Sequence, residues 1–123
     1  MNFNMVTIAG NITSDLEVKY MPNGRAVTEF SVAINNSYKN KDGEEVKETN
    51  FIRVTMYGKI VELMKENIGK GSPVVIVGKL KQQRWEGSDG KQKEKILVVG
   101  EKIHFNYKTE RNKEETIDNN EDM

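Results

Sequence analysis

The sequence predicts an all-β fold, a five-stranded barrel with one short helix between its third and fourth strands. Three observations carry this. Apolar residues recur at every second position in Val6/Ile8, Phe30/Val32/Ile34 and Ile52/Val54/Met56, the period of strands that bury one face. Turn chemistry, Asn23-Gly24, Asp42-Gly43 and Asp89-Gly90, separates these runs, as between antiparallel neighbours. Only one stretch, beginning at Lys59, changes to a helical period.

Taken in order, residues 5–12 form the first strand, and the alternation resumes at 16–20. Met21-Pro22-Asn23-Gly24 then turns the chain, with proline set for the second turn position. Residues 25–35 return as a strand with Phe30, Val32 and Ile34 on one face and Glu29, Ser31 and Ala33 on the other. Residues 35–48 are polar and are expected to be an exposed, mobile hairpin loop. Residues 51–57 form the third main strand. Ile60, Leu63, Met64 and Asn67-Ile68 then fall at helical spacing, as a plug for the core, until Gly69 and Gly71 stop the helix. Residues 73–80 open an apolar strand that turns polar over 81–85, and Glu86-Gly87-Ser88-Asp89-Gly90 forms another loop. Residues 95–105 close the set, with Gly100 as a bulge or bend. This order of strands, with glycine corners and a helix before the fourth, is that of the OB-fold barrel. Helical bundles and doubly wound sheets fail for lack of helices. The expected domain is 1–107, and 108–123 is expected to be a short disordered acidic tail.

At 123 residues the chain is sized for one domain. It has no cysteine, which excludes a disulfide scaffold, a thiolate metal site and a cysteine nucleophile. Its single histidine, His104, lies within Ile103-His104-Phe105 and has no second histidine to share a metal. Gly69-Lys70-Gly71 lacks the glycines of a dinucleotide fingerprint and the ending of a P-loop. No catalytic residues, metal or cofactor are therefore expected, and the chain reads as a binding protein, not an enzyme. No apolar run approaches a membrane span, so a soluble, cytoplasmic protein is expected, without a membrane partner. Net charge is zero, but residues 114–123 hold five acids and no base, leaving 19 basic against 14 acidic groups before them. A basic body with an acidic tail suits a polyanion binder.

The stretch 51–57 focuses the functional reading. Ile52, Val54 and Met56 would face the core, while Phe51, Arg53 and Tyr57 would share the other side. Two rings flanking a guanidinium make a poor core and a good surface for stacking bases and holding phosphates. Tyr38 and Trp85 likewise stand in polar, basic sequence, with Lys39, Lys41, Lys81 and Arg84 as neighbours, and Lys59 follows Tyr57. Phe30, by contrast, lies on an aliphatic face and is assigned to the core.

Gly10-Asn11, Tyr20-Met21-Pro22-Asn23-Gly24, Phe51-x-Arg53-Val54, Tyr57-Gly58-Lys59, Lys70-Gly71-Ser72 and Gly78-Lys79-Leu80 ending in Arg84-Trp85 resemble the bacterial single-stranded DNA-binding protein family, SSB. The resemblance runs from about Met5 to Phe105. It implies an OB-fold that binds single-stranded DNA without catalysis, as a homo-oligomer (a homotetramer in the family), in replication, recombination and repair near the nucleoid. It places base stacking on Tyr38, Phe51, Tyr57 and Trp85, and phosphate contacts on Lys19, Lys39, Arg53, Lys59, Lys70, Lys81 and Arg84. Tyr38 and Phe51 stand where well-known members carry tryptophan, and Ile52 where some carry histidine. Family members usually end in a Pro-Phe pair after a long linker, which docks replication and repair enzymes. This sequence ends Asn120-Glu121-Asp122-Met123. Replication or repair proteins thus remain candidate partners without the usual docking end, and the acids are expected only to compete weakly with DNA for the basic face. Two other readings stay open on the residues: an OB module that chiefly bridges replication proteins, and one that binds RNA.

Overall fold

The computed structural model describes residues 1–107, in which six strands and one helix follow the order β1 Val6–Ile12, β2 Lys19–Tyr20, β3 Ala26–Lys39, β4 Glu45–Tyr57, α1 Lys59–Asn67, β5 Pro73–Glu86 and β6 Gln92–Phe105. The acidic segment 108–123, and with it the expected disordered tail, lies outside the described residues. Five strands close on one another: β1 pairs β5, β5 pairs β6, β6 runs parallel to β4, β4 pairs β3, and β3 returns to β1 at Asn11↔Ala33 and Ile12↔Val32. The short β2 adds only Lys19↔Val27 and Tyr20↔Ala26 to the start of β3. The architecture is an OB-fold barrel, with its helix between the third and fourth barrel strands.

The core follows from alternation. Phe30 and Val32 of β3, Val54 and Met56 of β4, Val74 and Ile76 of β5 and Val98 of β6 point inward and are buried. Each residue on one strand faces its cross-strand partner on the same side, so Phe30↔Val54 and Thr28↔Met56 form inward pairs. Helix α1 closes one end with Val61 and Met64, joined by Ile68 just beyond it. The sequence pattern had placed the stripe on Ile60, Leu63, Met64 and Asn67-Ile68. Of these, only Met64 and Ile68 are buried, and Val61 replaces Ile60. The helix begins one residue after Gly58, whose φ of 99° turns the chain sharply out of β4 and fixes the helix rotation. No helix among the described residues is long and apolar enough to cross a membrane.

The hairpins are longer than the sequence suggests. Residues 35–39 and 45–48, expected as loop, continue the β3–β4 ladder from Asn35↔Thr49 to Lys39↔Glu45. Apart from half-buried Val46, both faces of this segment are exposed, so no apolar alternation marks it. Backbone pairing and a tight turn hold it instead: Asn40 Oδ1 accepts from the backbone N–H groups of Asp42 and Glu44, each at 2.9 Å. The β5–β6 hairpin likewise runs on to Glu86↔Gln92. Near its base the register shifts between Val77 and Gly78, since Val77 faces Lys102 while Gly78 faces Gly100. This confirms the bend expected at Gly100, with Glu101 the extra residue of a bulge. A Cβ on Gly100 would lie 2.8 Å from Met56 Sδ, so any larger residue there requires Met56 to shift.

Candidate nucleic-acid interface

The strand pairings place the predicted residues of β4 on the outside of the barrel. Phe51 faces Ala33, Arg53 faces Ser31 and Tyr57 faces Val27, so small partners leave the Phe51 ring uncovered, while Tyr57 is half-buried. Phe51 is 65% exposed. Lys19 joins this side through its pairing with Val27. Thr55↔Val99 in the parallel β4–β6 pair carries the same side onto β6, and Lys79↔Val99, Lys81↔Leu97, Gln83↔Lys95 and Trp85↔Lys93 carry it onto β5. One outer face therefore bears Lys19, Phe51, Arg53, Tyr57, Lys81 and Trp85. Trp85 is 45% exposed, and Leu97 on the same side is buried, which gives the face a solid apolar floor.

Lys19, Arg53 and Tyr57 also line a single recess of about 490 Å³, together with Glu17, Val27, Thr28, Glu29, Thr55 and Gln83. The Arg25 guanidinium sits 5.1 Å from the centroid of the Tyr57 ring, close enough for a cation–π contact that fixes the ring. Arg53 donates to Ser31 Oγ at 3.0 Å and pairs with Glu29 at 3.1 Å. Lys95 reaches the same Glu29 carboxylate at 3.7 Å. A larger depression, of about 610 Å³, lies between β1 and the ends of β3 and β6; it contains Gly10, Val75, His104 and Phe105 but no lysine or arginine. The lysine and arginine side chains line the smaller recess.

The remaining predicted residues are placed differently. Tyr38 is 49% exposed near the tip of the β3–β4 hairpin, opposite Val46. By alternation it shares the side of Ile34, not that of Phe51. Lys39 faces Glu45 on the outer side of the same hairpin. Arg84 stands opposite Glu94, on the other side of the β5–β6 ladder from Trp85, and pairs with Glu94 at 3.6 Å. Lys59 opens α1, and Lys70 lies in the loop after it, where its backbone N–H donates to Asp15 Oδ1 at 3.0 Å. Lys59 and Lys70 are thus outside the sheet.

Sequence reasoning missed Arg25, Gln83 and Lys95, and it left Glu29 as one polar position among several. Their signal lay in the register between strands. Alternation gives the side on which a residue points, but not which residue of another strand it meets.

The sequence and the structure were compared with known proteins. The Single-strand binding protein family matches over residues 3–106. The single-stranded DNA-binding protein of Aquifex aeolicus is 38% identical over 102 residues, covering 83% of this chain and 69% of that protein. The protein of the same name from Wolinella succinogenes is 32% identical over 103 residues, covering 84% of this chain and 64% of the relative. Among solved structures, a Plasmodium falciparum SSB in complex with ssDNA superposes with a TM-score of 0.79 at 22% identity, covering 85% of this chain and 96% of that one. A deletion mutant of the single-stranded DNA-binding protein from Thermus aquaticus superposes with a TM-score of 0.74 at 25% identity, covering 89% of this chain and 52% of that one. With its barrel, its outer face and a match over nearly all the described residues, the chain belongs to the Single-strand binding protein family.

Proposed function

We propose that this protein binds single-stranded DNA without sequence preference and protects transiently unpaired strands during replication, recombination and repair. The observation that carries the reading is the outer face on which Phe51, Arg53 and Tyr57 of one strand are joined by Lys19, Lys81 and Trp85 from its neighbours. Phe51, Tyr57 and Trp85 stack bases, a contact worth roughly 1–3 kcal/mol per base that any base can make. Arg53, Lys19 and Lys81 hold phosphates. Tyr38, Lys39 and Arg84 extend the path along the two projecting hairpins, and Lys59 and Lys70 contribute from the helix and its following loop. The mechanism is mass action: bound strand is withdrawn from reannealing and hairpin equilibria, with no bond made or broken. Among the described residues the edge of β1 over residues 6–10 pairs with β5 on one side only, which supports assembly into a homo-oligomer through that edge. The site of action in this reading is the cytoplasm, at the nucleoid.

The test is a titration of fluorescently labelled oligo-dT followed by anisotropy, repeated with a duplex and with oligo-U of equal length. Tight binding of oligo-dT and weak binding of the duplex are expected. Equal or tighter binding of oligo-U would assign the face to RNA instead, and no binding of any strand would overturn the reading.

A further inference from the structure

Two acids, Glu17 and Glu29, line the basic recess, and Glu29 is the one ion-paired with its cations. Glu29 lies on β3 directly across from Thr55, on the outer side, and its carboxylate is shared by Arg53 at 3.1 Å and Lys95 at 3.7 Å. Arg53 has its two terminal nitrogens committed, one to Glu29 and one to Ser31 Oγ at 3.0 Å. Glu29 and Arg53 both line the recess that holds Lys19 and Tyr57. The three charged side chains are each 38–46% exposed, so solvent and an incoming strand can reach them. A phosphate arriving here meets cations that a carboxylate already neutralises.

We propose that Glu29 is an internal counter-ion of the binding face, a carboxylate that a DNA phosphate must displace from Arg53 and Lys95. This rests on the single-stranded DNA reading and deepens it. The chemistry is an exchange of one anion for another on the same guanidinium and ammonium. In the free protein the carboxylate pairs with Arg53, whose other terminal nitrogen donates to Ser31 Oγ. In the bound protein it is an unpaired negative charge beside the phosphate chain. Glu29 therefore sets an upper limit on affinity and favours release, which suits a protein that must leave the strand when another enzyme needs it. Its place is specific: the other described ion pairs, Lys79–Glu101 and Arg84–Glu94, each join a single acid to a single base.

The experiment compares wild type, E29Q, E29D and the E29Q change in an R53Q/K95Q background, by anisotropy titration of labelled oligo-dT across a series of salt concentrations. E29Q is expected to bind tighter at low salt by up to about fivefold, the scale of a partly exposed charge pair. Its plot of log affinity against log salt should steepen by about 0.7, one more phosphate's worth for a single strand. E29D, which keeps the charge, should stay close to wild type, and the gain should vanish in the R53Q/K95Q background. Wild-type binding with E29Q unchanged or weaker overturns the counter-ion role alone. So does a gain that persists without Arg53 and Lys95, since general repulsion would then explain it. Failure of wild type to bind overturns this proposal together with the DNA reading.

Discussion

Phe30 and Phe51 belong to paired strands and have opposite fates. Phe30 faces Val54 inside the barrel and is 1% exposed, whereas Phe51 faces Ala33 outside it. Alternation alone separated them, because Phe30 shares its side with Val32 and Ile34 and Phe51 shares its side with Arg53. The two rings should therefore answer mutation differently. Phe30→Ala should cost about 3–5 kcal/mol of stability by opening a cavity, read as a lower midpoint in urea unfolding. Phe51→Ala should leave that midpoint close to wild type and weaken oligo-dT binding by about 1–3 kcal/mol, read by anisotropy titration. Loss of stability in the Phe51 variant would mean that its ring packs in the fold. The acid on this face was less legible. Glu29 reads in sequence as one polar position of an amphipathic strand, and only the register that brings β4 and β6 beside it gives it Arg53 and Lys95 as partners.

The elements were legible where one face is buried and illegible where both are wet. The barrel strands carry an apolar side, and their existence and order follow from it. The outer halves of the β3–β4 and β5–β6 hairpins have no apolar side to show, so residues 35–39 and 45–48 pass for loop although they pair to their ends, and 81–85 reads only as a polar run-on of its strand. The helix rotation failed for a related reason. Ile60, Val61, Leu63 and Met64 offer overlapping apolar stripes, and the turn at Gly58 selects the one that runs through Val61 and Met64. The bulge was readable from Gly100, and it makes a prediction at this scale. Gly100→Ala places a Cβ 2.8 Å from Met56 Sδ and 3.2 Å from Ile76 Cγ2. The crowding should cost about 1–3 kcal/mol of stability, measured as a fall in the urea midpoint, with oligo-dT affinity retained where the variant is folded. An unchanged midpoint would show that Met56 moves aside freely.

For the whole molecule, zero net charge conceals a basic body, since the acids of residues 114–123 offset the bases before them. The face that collects Lys19, Arg53 and Lys81 predicts binding that weakens as salt rises, by about 0.7 in log affinity per log unit of salt for each phosphate neutralised. A flat salt response would mean that stacking alone holds the strand. The protein carries its own reporter for the central claim, because Trp85 is its single tryptophan and stands on the outer face opposite Lys93. The decisive measurement is Trp85 fluorescence during titration with oligo-dT at low and high salt, beside a duplex of equal length. Strong quenching by oligo-dT, weakened by salt and absent with the duplex, is the expected result and places a base on the indole. A Trp85 signal that stays unchanged while oligo-dT binds would contradict the stacking face proposed for this barrel.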